Sequence, residues 1–173
     1  MFTLRFDISE IPSWAAQYPS DYDDRVEKLI SPQVRKRHYF MPDEFIEICR
    51  WKTPRSQPRV KSNPEDFIKE VTRTALTTSN ERLRIEVLTL LNGVSWPTAS
   101  VLLHFGYDNI YPILDFRALW SLGVEASLVN YSFDFWWEYS QYCRNLARQA
   151  GVSMRVLDWA LWQYSETNQE KRK

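Results

Sequence analysis

The sequence has 173 residues, which is enough for one domain with a buried core, and 44% of its residues are hydrophobic. Lysine plus arginine and aspartate plus glutamate balance at 22 each, which argues against a protein that coats nucleic acid by bulk charge but not against a local basic face. Two cysteines and two histidines argue against a disulfide framework, a four-cysteine cluster and a dedicated metal site.

The predicted elements are helices, because only four glycines occur and a β-rich fold with many tight turns usually needs more. The first twenty residues are expected to form an irregular arm, and Thr53–Ser62 is expected to be a loop. Helices are expected, in chain order, over Asp21–Ile30, from Ser31-Pro32, over Pro42–Lys52, from Asn63-Pro64 (a cap and first-turn proline) to about Thr77, over Asn80–Asn92 behind a Ser79 cap, over Trp96–Phe105, from Asp115 to Gly123, over Ser132–Ala150 and over Ser153–Ser165. We therefore predict an all-α fold, a single compact helical domain over residues 1–173.

The loop Thr53–Ser62 contains no acidic residue and, with the end of the preceding helix, carries a run of cations. Charge alone favours a solvated connector. The alternative is a strap that contacts phosphates, because a lone basic loop is where a neutral protein would gain local DNA affinity. The cations are Arg50, Lys52, Arg55, Arg59 and Lys61.

A short turn joins two apolar helices around Gly93, where a left-handed backbone is expected, and the apolar Val94 is expected to point inward. Such a hairpin leaves backbone N–H groups pointing outward at the positive end of a helix dipole, which suits a DNA phosphate. Taken by itself, the pattern is also explained by an ordinary helical hairpin.

The run Leu91-Asn92-Gly93-Val94-Ser95, with Thr98-Ala99 after it, resembles the Leu-Pro-Gly-Val-Gly hairpin of the helix-hairpin-helix DNA glycosylase superfamily, which includes endonuclease III and the alkyladenine and 8-oxoguanine glycosylases. Pro112-Ile113-Leu114-Asp115-Phe116-Arg117 resembles the family's aspartate at the start of a later helix. The resemblance covers roughly Arg82 to Gly123, about a quarter of the chain. The whole chain also resembles bacterial proteins described as having an 8-oxoguanine DNA glycosylase fold. The resemblance implies a hairpin over residues 80–105 and a catalytic-type aspartate with its helix over 112–123.

Two departures from the family pattern bear on the chemistry. Ser95 replaces the second hairpin glycine, and a serine still suits the cap of the following helix. Pro97 stands where the bifunctional enzymes carry a catalytic lysine, and proline has no amine to attack the sugar and form a Schiff base. The resemblance therefore implies a monofunctional glycosylase. Lys52 is a substitute amine only if Trp51 desolvates it, and a phosphate-binding or solvated role explains this lysine more simply.

Asp115 has two interpretations. Aspartate at a helix start is usually an N-cap, and capping explains its position fully. In the functional interpretation, its carboxylate faces the sugar of an extruded nucleotide, stabilises the oxocarbenium-like charge as the base departs and orients the attacking water. The two roles are compatible in one residue, and the hairpin upstream favours catalysis.

Base flipping requires an aromatic pocket that receives the extruded base. Trp51 is one candidate, and Trp137 is another because adjacent helical residues such as Trp136 and Trp137 cannot both face one core. Arg117 is expected either to hold a phosphate or to pair with an acid. The predicted DNA-binding residues are Gly93, Val94, Ser95, Arg55, Arg59, Lys61 and Arg117.

The sequence and the resemblance together predict a hydrolase that releases a damaged or modified base from DNA, as in base-excision repair. Oxidised guanine, an alkylated purine and a hypermodified phage nucleobase are open as substrates, and the last would indicate phage defence. The alternative is a non-catalytic DNA- or protein-binding module on a glycosylase scaffold. The resemblance implies no cofactor other than a monovalent cation on hairpin carbonyls. No apolar run approaches about 18 residues, so we expect no membrane partner. We also expect a monomer, with the cytoplasm as the default location.

Overall fold

The structure is a computed structural model that describes residues 2–107 and 110–170. Every regular element in these ranges is helical, and they contain no strand, so the predicted all-α class is confirmed. The α-helices of the described ranges are α1 (Ile11–Ala15), α2 (Ser31–Arg37), α3 (Pro42–Lys52), α4 (Gln57–Val60), α5 (Glu65–Thr77), α6 (Glu81–Glu86), α7 (Trp96–Gly106), α8 (Phe116–Ser121), α9 (Phe133–Ala150) and α10 (Met154–Asn168). The shorter elements are 3-10 turns at Ile8–Glu10, Ser20–Asp23, Pro54–Ser56, Val87–Leu90 and Ala126–Leu128, and a π-helical turn at Val26–Ile30.

The chain divides into two compact units, a division that the sequence analysis did not anticipate. The central unit is the continuous stretch Ser20–Tyr111. The split unit combines the described residues of Met1–Pro19 with those of Pro112–Lys173. The Gly93 turn and the basic loop belong to the central unit, whereas Asp115 belongs to the split unit.

Helix α7 is the core helix of the central unit. From Thr98 to Gly106 every residue is buried, as its continuous apolar run predicts for a helix covered on all sides. Helices α2, α3, α5 and α6 each contact it. Burial on this scale fixes α7, and therefore also fixes the direction of its N-terminus, where the Gly93 turn enters.

In the split unit, residues 3–5 form an N-terminal strap that is hydrogen-bonded to the chain at the end of α8. The N–H of Thr3 donates to the Leu122 carbonyl at 2.9 Å, and the N–H of Arg5 donates to the Ser121 carbonyl at 2.9 Å. Helix α1 packs along α10, and α10 packs along α8. The strap therefore secures the end of the helix that Asp115 begins.

Two segments predicted as irregular are helical. The first twenty residues include the 3-10 turn Ile8–Glu10 and helix α1, and the predicted loop includes the 3-10 turn Pro54–Ser56 and helix α4. In α1, in Pro54–Ser56 and in α4, a proline occupies the first turn, where its missing N–H costs nothing. These prolines therefore start short helices in two segments that were predicted to be irregular.

Three predicted helix caps are also wrong. Helix α2 follows directly from the π-helical turn, so Ile30 is its N-cap and Ser31 is already helical. Asn80, and not Ser79, caps α6 by accepting from the Leu83 N–H. The N-cap of α5 is Pro64, which leaves the side chain of Asn63 available for other contacts.

Candidate functional site

The Gly93 turn, residues Leu91–Ser95, has the geometry of a type II turn. The N–H of Val94 donates to the Leu91 carbonyl at 3.0 Å, and Gly93 has a φ of 81°. A φ near +80° at the third position of a turn is the signature of type II and favours glycine there. Val94 is buried, as predicted. The turn is therefore fixed by its own backbone and by the burial of Val94.

The N-terminus of α7 follows the turn. Ser95 is extended and exposed, and within the described chain its hydroxyl makes no capping hydrogen bond. Helical geometry provides no intrahelical acceptor for the first-turn N–H groups, and Pro97 contributes no N–H. The predicted serine cap is therefore not formed, and backbone donors of Ser95 and Trp96 lie at the positive end of α7.

The basic segment, defined as residues 50–61, packs against the Gly93 turn. A Cβ atom placed on Gly93 would lie 2.8 Å from Val60 Cγ2, 3.1 Å from the Val60 nitrogen and 3.3 Å from Arg59 Cβ. Such short distances mean that the two backbones are in direct contact, which a glycine permits. Arg59 therefore lies beside the turn, a proximity that the 33 intervening residues conceal in the sequence.

The cations of the basic segment differ in their surroundings. Arg55, Arg59 and Lys61 are exposed, and across residues 2–107 and 110–170 none of the three takes part in an ion pair. Lys52 is half-buried as the last residue of α3. An exposed cation, Arg59, beside the turn that leads into α7 favours the phosphate-contacting interpretation of the basic segment over that of a plain connector.

The carbonyls of the turn bear on the expected cation. The Leu91 carbonyl accepts from the Val94 N–H, and the Asn92 carbonyl accepts from Asn63 Nδ2 at 3.0 Å. Each of these two carbonyls accepts a hydrogen bond but has a second lone pair, so the monovalent cation expected on hairpin carbonyls stays a prediction, and no step below uses one.

Asp115 is the N-cap of α8, as predicted. Its Oδ1 accepts from the Arg117 N–H at 2.8 Å, and its carbonyl accepts from the Leu119 N–H at 2.9 Å. The residue is half-buried, and the preceding residues Pro112, Ile113 and Leu114 are all buried. A buried approach and a backbone hydrogen bond hold the carboxylate in one orientation, which suits either a cap or a catalytic group.

Two tyrosines that the sequence analysis did not single out lie within electrostatic range of Asp115. Burial, and then the charge of Asp115, raise the pKa of the Tyr131 phenol. Burial, followed by nearby groups that include Asp115, raises the pKa of Tyr139 well above its ordinary value, and its O–H donates to the Ile113 carbonyl at 2.7 Å. Both phenols therefore stay neutral near the carboxylate. No periodicity or motif marks them, because they approach Asp115 only through the packing of α9 and the residues before it.

Arg117 pairs with an acid in this structure. Its guanidinium forms an ion pair with Glu166 and lies 4.9 Å from the centre of the Trp162 ring. Of the two roles left open by the sequence, pairing is the one observed, and phosphate binding remains a prediction that would require this ion pair to open.

The two candidate pocket tryptophans are engaged in packing. Trp51 donates its indole N–H to Asp23 Oδ1 at 2.9 Å and meets the Phe105 ring edge to face at 5.3 Å. Trp136 is fully buried, whereas Trp137 is half-buried and stacks on Phe133 at 6.1 Å. One tryptophan of the adjacent pair thus faces the core and the other lies nearer the surface.

A cleft of about 550 Å³ in the split unit has an acidic lining. Its carboxylates would repel a phosphate backbone, and Asp115 is not among its lining residues. The cleft is therefore not the nucleotide pocket that the predicted chemistry requires. The lining is formed by Gly123, Val124, Glu125, Leu128, Val129, Asn130, Asp134, Phe135 and Glu138.

No family model matches the sequence, and no curated protein or solved structure matches it either. The described residues include no group of three or more His, Cys, Asp or Glu side chains arranged to hold a metal ion. None of the helices in the described ranges is long and apolar enough to cross a membrane. The resemblance to the glycosylase superfamily therefore stays a prediction from the sequence.

Proposed function

We propose that this protein is a DNA N-glycosylase that binds DNA through the Gly93 turn and the basic segment and uses the Asp115 carboxylate to release a damaged or modified base. The observation that carries the proposal is the contact of Arg59 with the Gly93 turn in the central unit. Exposed cations and helix N-terminal donors attract the same ligand, a phosphate. Phosphate contacts position DNA without reading its sequence.

The proposed chemistry is hydrolysis of the bond between C1′ of the sugar and the base nitrogen. As that bond breaks, the sugar gains positive charge and the base leaves with the bonding electrons. Asp115 stabilises the developing cation, and a water then adds to C1′. The water keeps one hydrogen as the new C1′ hydroxyl, and its other proton passes, directly or through solvent, to the departing base. The hydrogen bond from the Arg117 N–H keeps the carboxylate oriented, so little reorganisation is needed during the reaction.

The proposed enzyme is monofunctional. Pro97 lies in the first turn of α7 and has no amine for a Schiff base. The expected product is an intact strand with an abasic site, which breaks only on alkali treatment. Scission without alkali would instead point to an amine such as Lys52.

A non-catalytic DNA- or protein-binding module is the second candidate function. The observation in its favour is that capping already explains the position of Asp115, whose Oδ1 accepts from the Arg117 N–H. A binding module needs the turn and the basic segment but not the charge at position 115. The two functions therefore predict different results for a neutral residue at position 115. A glycosylase would lose base release, whereas a binding module would keep every activity.

The test incubates the protein with duplex and single-stranded oligonucleotides that carry oxidised guanine, alkylated purines or hypermodified bases, and analyses strands with and without alkali. Asp115→Asn is the informative variant, because asparagine caps a helix about as well as aspartate. It should abolish base release and retain DNA affinity and thermal stability.

The matched control is Ser153→Ala, which removes the side-chain cap of α10 in the same unit. It should lower stability and leave base release intact. Base release that persists in Asp115→Asn would refute the catalytic role. DNA binding without release from any substrate would favour the binding module, and no salt-dependent DNA binding would refute both.

A further inference from the structure

The side chain of Asn63 bridges the basic segment and the Gly93 turn. Its Nδ2 donates to the Val60 carbonyl at 2.8 Å and to the Asn92 carbonyl at 3.0 Å. Its Oδ1 accepts from the Asn92 N–H at 2.7 Å. Nδ2 also makes a longer bond, 3.5 Å, to the Arg59 carbonyl. The amide thus binds backbone groups of the basic segment and both backbone groups of Asn92, the residue before Gly93.

This bridge needs a primary amide. Asn63 donates to two carbonyls and accepts from one N–H, whereas a hydroxyl has a single proton to donate and a carboxylate has none. The side chain is buried, with 8% exposure, so water does not readily replace these bonds. The residue is also not used to begin α5, whose N-cap is Pro64.

The Asn63 bridge lies next to two cations of the basic segment. Asn63 holds Val60, whose neighbours Arg59 and Lys61 are both exposed and, within the described residues, take part in no ion pair. The same amide holds the turn that precedes the N-terminus of α7. Together with the packing of Val60 on Gly93, the Asn63 side chain therefore fixes the positions of Arg59 and Lys61 relative to the turn.

We infer that Asn63 is a positioning residue that holds the basic segment and the Gly93 turn as a single phosphate-binding surface, so that Arg59 and the turn contact neighbouring phosphates of one DNA strand. This inference rests on the proposed DNA binding. It assigns Asn63 no contact with DNA and no role in the chemistry. Its effect is to make the contributions of the turn and of Arg59 depend on each other.

The test measures duplex affinity across a series of salt concentrations for the full chain and for Asn63→Ala, Arg59→Ala and the double variant. Each lost phosphate contact lowers the slope of log affinity against log salt by about 0.9. Arg59→Ala should lower the slope by about one contact, and Asn63→Ala should do so although it removes no charge. Arg59→Ala should have little further effect in the Asn63→Ala background.

Asn80→Ala is the control, because Asn80 caps α6 in the same unit and does not touch the basic segment. It should lower stability and leave the salt slope unchanged. Asn63→Ser provides a second, uncharged variant if Asn63→Ala does not fold, since a hydroxyl has one proton and cannot make both donations.

Two outcomes would overturn the inference in distinguishable ways. If Asn63 variants lose stability but keep the original slope, and if their effect on affinity adds to that of Arg59→Ala, Asn63 is only structural while DNA binding stands. If the unaltered protein shows no salt-dependent binding to duplex DNA, the proposed function itself fails.

Discussion

Replacing Gly93 by alanine imposes two separable costs. The first is backbone strain, because a φ of 81° is costly for a residue with a Cβ atom, by about 1–2 kcal/mol. The second is steric, because the new methyl group would lie 2.8 Å from Val60 Cγ2 and 3.1 Å from the Val60 nitrogen. Val60 is buried, so relief requires movement of packed backbone, and overpacking of this kind costs about 1–3 kcal/mol. The total expected loss of unfolding free energy is about 2–5 kcal/mol.

Gly151→Ala is the matched control for strain alone. Gly151 has a φ of 66°, and no described atom lies within 4 Å of the position of its added Cβ, apart from its chain neighbours. Its loss should stay at about 1–2 kcal/mol. Urea unfolding followed by tryptophan fluorescence and by circular dichroism gives both free energies. If Gly93→Ala costs no more than Gly151→Ala, the argument from backbone contact is refuted. Duplex affinity should also fall in Gly93→Ala and not in Gly151→Ala.

Three further predictions concern stability. His38→Gly should raise the unfolding free energy by about 0.5–1 kcal/mol, because His38 ends α2 with a φ of 60°, a left-handed conformation that favours glycine. Urea unfolding will show no gain if this conformation is unstrained. Arg84→Met should lower the unfolding free energy by about 2–4 kcal/mol, because the buried guanidinium donates to the Ala75 carbonyl at 2.8 Å and to the Thr78 carbonyl. A loss under about 1 kcal/mol would mean that these carbonyls find other donors. Burial raises the pKa of the Cys49 and Cys143 thiols above their ordinary value of 9.0. The folded protein therefore keeps both thiol protons where the unfolded chain loses them, and above pH 9 stability should fall by up to about 1.4 kcal/mol per pH unit for each cysteine. Between pH 9 and pH 10, below the ordinary pKa of 10.0 of Tyr131 and Tyr139, a double cysteine-to-alanine variant should lose this slope, and an unchanged slope would contradict the assignment.

Helix starts with local signals were predictable from the sequence. Ser132, Ser153 and Asp115 all cap the helices assigned to them, since each side chain accepts from a backbone N–H two or three residues further along. The left-handed Gly93 and the buried Val94 followed from residue type as well. All these features are decided within a few residues of chain.

Features decided by distant partners were not predictable. Asn63-Pro64 has the local pattern of a helix start, but the amide of Asn63 binds Asn92, 29 residues away. The contact between Arg59 and the Gly93 turn and the approach of Tyr131 to Asp115 likewise depend on packing, which no periodicity encodes. The DNA-binding and catalytic roles of these residues stay predictions that the experiments above decide.

The division into a continuous unit and a split unit has a consequence for how the chain acquires its structure. All partners within Ser20–Tyr111 are available as soon as that stretch has been synthesised. In the split unit, Arg5 Nε donates to the Trp120 carbonyl across 115 positions, and the Tyr164 hydroxyl donates to the Arg5 carbonyl across 159 positions. Contacts between residues so far apart in the chain slow folding, because a long loop must first close at a cost in entropy. We therefore expect the central unit to form first on the ribosome, while the N-terminal strap waits for α8 and α10 to emerge.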